Sequence, residues 1–331
     1  MLKIGIVGCG YMGVMHLNSY LHIDGVEVTA VSGVVSDAAK AAVAQTNAEV
    51  YEDAKEMIET AELDVIDICL PTFLHAEYGL LAMEHAKYVF IEKPVALTVE
   101  EGEALIAKSR ETGCRVQVGQ VIRFWDEYVE LRRMVESGVY GQIVNANFRR
   151  ISSRPDWGHN NWLRNPTLSG GCGQDLHIHD VDYVLSLFGE PKSFYTVTNT
   201  IGEPNSYINT LMQYDEFVVG VEGTWDLPAA HPFEATFRVA FEKAAVEYAG
   251  GKLMMYDENG AHEILLEKRE ITGSKYAKGA ASGNITDLGG YYNELSYFCE
   301  RAKNGEEIGE ARLADAVRSL RFLMKELAFG K

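Results

Sequence analysis

Through the first 120 residues the apolar positions switch repeatedly between two periods. Short apolar runs predict strands at Lys3–Val7, Val26–Ser32, Val50–Tyr51, Val65–Leu70, Tyr88–Ile91 and Arg115–Val118. Between them, helical spacing covers Tyr11–His22, Asp37–Thr46, Glu52–Thr60, His75–Ala86 and Val99–Glu111. Ser36 and Asp37 cap the second helix, and Thr98 followed by Glu101 forms a capping-box pattern before the last. Pro71 and Pro94 stop the strands that precede them. Repeated β-α units of this length predict a parallel sheet with helices on both faces.

After a helix at Asp126–Ser137 the pattern changes. Strand-like stretches follow at Ile143–Ile151, Ser193–Ile201, Tyr207–Tyr214, Phe217–Trp225, Glu234–Phe241, Ala245–Tyr248 and Leu253–Tyr256. Several alternate with period two, as in Thr236-Phe237-Arg238-Val239-Ala240-Phe241, which predicts a large, mostly antiparallel sheet. One helical insert, His179–Phe188, interrupts it. Gly273–Gly290, rich in Gly, Ala and Ser, reads as a loop, and helices at Asp287–Asn304 and Glu310–Phe329 close the chain. The expected division is residues 1–122 and residues 123–331, an α/β domain followed by an α+β domain.

Composition narrows the function classes. Of 331 residues, 47% are hydrophobic and 24% charged, which suits a globular chain and excludes a disordered or fibrous one. Thirty Lys and Arg face 48 Asp and Glu, a formal net charge of −18. Such a surface repels phosphate backbones and anionic lipids, so neither nucleic acid nor membrane is an expected partner. No apolar run is long enough to span a bilayer, and Met1-Leu2-Lys3-Ile4 leads into the first strand without signal-peptide architecture. Cys9, Cys69, Cys114, Cys172 and Cys299 are widely spaced and lack any Cys-x-x-Cys pair. A disulfide scaffold or structural zinc site is not expected, and a reducing cytoplasm fits.

Gly8-Cys9-Gly10-Tyr11-Met12-Gly13 is a G-x-G-x-x-G directly after the first strand and opening the first helix. In that context the first glycine makes the turn, the second admits a pyrophosphate, and the third allows close helix–strand packing. The helix N-terminus offers free N–H groups and partial positive charge to the phosphates. The 1–122 unit is therefore expected to be a Rossmann dinucleotide-binding domain. An acid at the end of the second strand would favour NAD, and a nearby Arg NADP. Here that strand ends Ser32-Gly33, the next acid is Asp37 inside the helix, and Lys40 lies one turn further. NAD and NADP both remain open.

Glu92-Lys93-Pro94 ends the strand Tyr88–Ile91, where ligands of parallel sheets bind. By position alone, Lys93 reads equally as a donor to a substrate oxygen or as a surface lysine. Further on comes Gly170-Gly171-Cys172-Gly173-Gln174-Asp175-Leu176-His177-Ile178-His179-Asp180-Val181-Asp182. Asp175, His179 and Asp182 stand at i, i+4 and i+7, one face of an α-helix. A histidine between two carboxylates suits general acid/base chemistry. The same stretch could be a capped helix with a satisfied histidine. It lacks the spacing of common metal sites, and no metal is expected.

In this order and spacing, the three motifs resemble those of the Gfo/Idh/MocA family of nicotinamide-dependent oxidoreductases, and the likeness runs the whole chain. Cys69-Leu70-Pro71-Thr72-Phe73-Leu74-His75 resembles the family's cofactor loop, and Trp162-Leu163-Arg164-Asn165-Pro166 its lead-in to the glycines. The resemblance implies Lys93 as catalytic lysine, His179 as general acid/base, and Asp175 as the carboxylate that helps set proton-transfer geometry. It implies a pyrophosphate loop of Gly8, Gly10, Tyr11, Met12 and Gly13. Further cofactor contacts are expected from Ser32, Gly33, Pro71, Thr72, His75, Glu92 and Lys93. Candidate substrate-reading groups, besides Lys93, Asp175 and His179, are Arg123, Arg154, Trp157, His159, Trp162 and Tyr276. Three departures stand out: His177 between Asp175 and His179, Cys172 in the glycine run, and Gly33 in place of an acid. His177 either enters the substrate pocket or packs outside it.

The expected activity is hydride transfer between NAD(P) and a secondary alcohol or ketone of a sugar, inositol, polyol or sugar derivative. A redox-neutral NAD-dependent glycoside hydrolase or lyase, or a non-catalytic nucleotide-binding regulator, would use the same fold. The resemblance implies a homodimer or homotetramer, and one face of the antiparallel sheet is free to pair.

Overall fold

Six apolar runs assemble as the first sheet. In the computed structural model, which describes residues 1–156, 158–199, 202–266 and 288–329, they are β1 (Leu2–Val7), β2 (Val26–Ser32), β3 (Glu49–Tyr51), β4 (Val65–Ile68), β5 (Tyr88–Ile91) and β6 (Arg115–Val118). All pair in parallel in the order β3-β2-β1-β4-β5-β6. The order reverses between β1 and β4, the crevice where doubly wound sheets bind dinucleotides. Helices α1 (Tyr11–Tyr20), α2 (Asp37–Val43), α3 (Ala54–Thr60), α4 (His75–His85) and α5 (Val99–Thr112) make the crossovers. The caps form as their chemistry requires. The Ser36 side chain accepts from the Ala39 N–H, and Thr98 and Glu101 complete a capping box.

Helix α6 (Asp126–Ser137) leads into the second sheet. That sheet comprises β7 (Ile143–Ser153), β8 (Ser193–Thr198), β9 (Tyr207–Gln213), β10 (Val218–Leu227), β11 (Glu234–Phe241), β12 (Ala245–Ala249), β13 (Lys252–Asp257) and β14 (Gly260–Glu263). Their order is β14-β13-β12-β11-β7-β10-β9-β8, antiparallel except for the β7–β10 pair. One face is covered by α6 and by α8 (Ile178–Phe188), which follows the short α7 (Pro166–Ser169). Phe148, Val219, Val221, Phe237 and Val239 point into that core.

Helices α9 (Gly289–Asn304) and α10 (Leu313–Phe329) return to the first sheet. There α9 packs on α1, and α10 on α5 as well as α8. Leu295, Phe298 and Cys299 of α9 share a buried cluster with Ile4, Leu17 and Phe90. The two helices assigned by sequence to the second unit therefore complete the core of the first. Among the described residues no helix is long and apolar enough to cross a membrane.

Candidate active site

The glycine loop is shaped by what a Cβ would meet. Gly8 has φ +96°, and a Cβ there would stand 2.9 Å from the Cys69 carbonyl oxygen. At Gly13 it would lie 2.2 Å from the Gly8 carbonyl oxygen. Those two glycines are demanded by the loop's own packing, whereas a Cβ on Gly10 meets nothing within 4 Å. Gly10 thus borders open space at the N-terminus of α1, which has neither a side-chain cap nor an acid in its first turn. Open space, uncapped N–H groups and the positive end of the helix dipole fit a pyrophosphate. Tyr11 and Met12 are half-buried beside it.

Gly33 closes against the same loop. Its φ is +73°, and a Cβ would press on Gly8 Cα at 3.2 Å and Cys9 N at 3.3 Å. A side chain in place of Gly33, the usual acid included, would be strained by the left-handed backbone and crowded against the Gly8–Cys9 backbone. The preceding Ser32 carbonyl accepts from the Cys9 N–H, while the Ser32 hydroxyl is buried without a partner among the described residues. Pro71 and Thr72 begin the turn after β4. His75 sits with its two ring nitrogens each 2.7 Å from a carbonyl oxygen, those of Leu70 and Pro94. It ties the turn after β4 to the turn after β5.

Lys93 extends from the end of β5, and its Nζ donates to the Asp175 carbonyl oxygen at 2.7 Å and to Asp175 Oδ1 at 3.1 Å. The two side chains keep 17% exposure each, so the pair is sheltered yet open to a ligand. His179 lies close enough for Lys93 and Arg150 to act on its charge. Burial first, then those two cations, hold its imidazole well below the ordinary histidine value. The ring is a neutral base at neutral pH. Its Nδ1 is buried without a hydrogen-bond partner among the described residues.

The carboxylates around His179 serve other partners. Residues Gly173–His177 form a π-helical turn, which breaks the 3.6-residue period behind the expected single face. Asp175 meets Lys93; Asp180 takes Arg150 through Nε at 2.7 Å and Nη2 at 3.2 Å; Asp182 takes Arg123 through Nε at 2.7 Å and Nη2 at 2.8 Å. The expectation that Asp182 flanks His179 is thus corrected. Three acids of one segment instead hold Lys93, Arg123 and Arg150 of β7.

Arg123, expected among the substrate groups, is only 5% exposed, and its remaining Nη1 donates to Glu310 at 2.6 Å. All of its nitrogens are committed to carboxylates. Arg154 is held by Glu203 at 2.7 Å and Asp226 at 3.3 Å, and Trp162 is half-buried in the turn His159–Arg164. His177 is fully buried against Gly223 of β10 and faces Glu326 of α10 at 3.5 Å. Trp157 and Tyr276, with most of the Gly273–Gly290 loop, lie outside the described residues.

Glu92, expected among the cofactor contacts, is instead 4% exposed with its oxygens on His16 Nε2 and the Lys93 N–H, in a buried polar group with His16 and Asp67 behind the site that sequence reading missed. One signal was present. An acid within the apolar strand Val65–Ile68 has to be paired when buried, although its partner cannot be named from spacing.

A parallel sheet with a G-x-G-x-x-G loop before α1, and a lysine–carboxylate pair beside a neutral histidine at the end of β5, fit a dinucleotide-binding oxidoreductase. Family comparison agrees over most of the chain. Residues 2–120 match the oxidoreductase family, NAD-binding Rossmann fold, and residues 128–247 the GFO/IDH/MocA C-terminal domain. The chain belongs to the GFO/IDH/MocA family of oxidoreductases.

It is similar to scyllo-inositol 2-dehydrogenase (NAD(+)) of Bacillus subtilis (strain 168), 26% identical over 318 residues, 92% of this chain and 87% of the relative. It is also similar to inositol 2-dehydrogenase of Salmonella typhimurium, 34% identical over 216 residues, 63% of this chain and 61% of that relative. Among solved structures, levoglucosan dehydrogenase in complex with NADH and levoglucosan superposes with TM-score 0.82 at 18% identity, covering 100% of this chain and 98% of that one. Aldose-aldose oxidoreductase from Caulobacter crescentus gives 0.82 at 19% identity, covering 99% and 97%. At those identities the likeness concerns the fold.

Proposed function

We propose that this protein is an NAD-dependent dehydrogenase acting on a secondary alcohol of an inositol, another polyol or a sugar. The observation that carries the reading is Lys93 Nζ bonded to Asp175 beside an uncharged His179, at the carboxyl end of β5. Two relatives named as inositol dehydrogenases point to the polyol class.

Gly8, Gly10 and Gly13 with the first turn of α1 hold the pyrophosphate, and bound nicotinamide supplies the hydride acceptor. His179 takes the hydroxyl proton as a neutral base. Lys93 donates to the same oxygen as negative charge develops on it, and Asp175 holds the ammonium in place. The test is nicotinamide absorbance with a panel of inositols, sugars and sugar acids, with NAD and NADP in separate series. Turnover with an inositol and NAD is the expected result. Silence with every pair, in protein that binds NADH, would overturn the reading in favour of a redox-neutral enzyme or a regulator.

The same reading extends to assembly. Tyr195 and Val197 of β8, Leu211 of β9 and Val218 of β10 are exposed apolar side chains on the uncovered face of the second sheet. Their apolar surface suits a second copy of this chain. Sedimentation equilibrium is expected to return a multiple of the chain mass, and Leu211→Arg to lower it. A native protein that sediments as a monomer would contradict this.

A further inference from the structure

Directly behind Lys93 runs a line of buried charge that the proposed chemistry does not itself use. His16, in the second turn of α1, is fully buried. Its Nδ1 lies 2.8 Å from Asp67 Oδ2 and its Nε2 3.0 Å from Glu92 Oε1. Both partners are carboxylates, so both ring nitrogens donate, and the ring is an imidazolium. Burial opposes that charge, but Asp67 and then the Cys69 sulfur override it and raise the imidazole well above its ordinary value.

Each end of the line is anchored. Asp67 also accepts from the Tyr20 hydroxyl at 2.9 Å and the Cys69 thiol at 3.4 Å. Glu92 turns its second oxygen, Oε2, to the backbone N–H of Lys93 at 3.0 Å. The Lys93 ammonium then reaches Asp175. Hydrogen bonds therefore run from β4 through α1 and the end of β5 to the π-helical turn of the second domain. Phe90 stands edge-on to the His16 ring at 5.4 Å. From α9, Tyr291 and Glu294 close the cluster, and both Glu294 oxygens are buried without a partner among the described residues. Burial, then the Glu92 charge, raise the Glu294 carboxyl well above the carboxylate range, so it sits there as a neutral acid.

Buried ions of this kind add little net stability over an apolar core, because desolvation offsets their attraction. What they do provide is fixed geometry. With Oε1 held by His16, Glu92 presents Oε2 to the Lys93 backbone N–H. We propose that His16, braced by Asp67, is a positioning residue: through Glu92 it fixes the backbone from which Lys93 reaches the reacting hydroxyl. This rests on the reading of Lys93 given above.

A double-mutant cycle separates positioning from simple structural support. His16→Gln and Glu92→Gln, each alone and each combined with Lys93→Ala, are assayed with NAD and whichever of myo-inositol or scyllo-inositol turns over faster. Each single variant is expected to lose kcat by about 10- to 100-fold, the scale of a small misplacement, with KM for NAD nearly unchanged. In the Lys93→Ala background the same changes should cost kcat nothing further, because the group they position is absent. Equal losses in both backgrounds, or losses carried in KM for NAD, would overturn the proposal. Should His16→Gln not fold, Glu92→Gln carries the cycle.

A readout free of substrate completes the test. Trace acetylation of Lys93 by acetic anhydride, followed on its peptide by mass spectrometry, should accelerate in both single variants as the ammonium leaves Asp175. Unchanged acetylation would count against positioning. Lys93→Ala with full turnover would instead refute the catalytic reading, and acetylation would still decide the role of His16.

Discussion

Alanine at His179 is expected to lower kcat by about two to four orders of magnitude, the usual worth of a positioned general base, while NADH still binds. Lys93→Ala is expected to cost about two to three orders, the scale of losing one donor to a developing oxyanion. The two differ in their pH signature. Burial, Lys93 and Arg150 hold the His179 imidazole well below 6.5, so little of it is protonated at that pH. The kcat/KM profile for oxidation should therefore stay flat as pH falls through 6.5 and decline only in more acidic solution, where the ring takes up its proton. In His179→Ala that acidic limb should disappear. Fluorescence titration with NADH checks that the glycine loop is intact in each variant. Near-native turnover in both alanine variants would refute the acid/base assignment.

The parts of the fold that periodicity made legible are those whose burial is one-sided and local. β2 (Val26–Ser32), β5 (Tyr88–Ile91) and β6 (Arg115–Val118) end where the sequence pattern ends. The capping box at Thr98 forms as its residues require. β14 (Gly260–Glu263) escaped notice because all four of its residues are exposed and carry no apolar alternation. It exists because β13 offers a free edge.

The site divides in the same way. Lys93 and Asp175 were identified separately, each within its own motif, and the fold joins them across 82 residues. Partner choice among buried charges was not legible. The π-helical turn shifts Asp175 relative to His179, and Asp182 turns to Arg123 and to the Ser319 hydroxyl that α10 supplies at 2.7 Å. His16 finds Glu92 only once α1 lies across β4 and β5. Local spacing says that such groups require partners, and tertiary packing decides which.

That distinction has its sharpest consequence at Arg123. Its guanidinium forks onto Asp182, whose side chain is fully buried, while Glu310 and Asp315 face it from the chain leading into α10 and from α10 itself. Arg123→Ala would leave Asp182 buried with the Ser319 hydroxyl as its one remaining side-chain partner among the described residues. Breaking a buried pair from one side costs about 3–5 kcal/mol, so the urea midpoint should drop sharply. Asp182→Leu added to Arg123→Met should recover much of the loss, because removing both charges also removes their desolvation cost. Lysine at 123 should recover less, since an ammonium cannot reproduce the two-pronged contact. The substrate role first expected for Arg123 makes the opposite forecast, a raised KM for the polyol with the midpoint unchanged. A lowered midpoint with KM intact in the folded protein would place Arg123 in the clamp that carries α8, and through it His179, to the cleft.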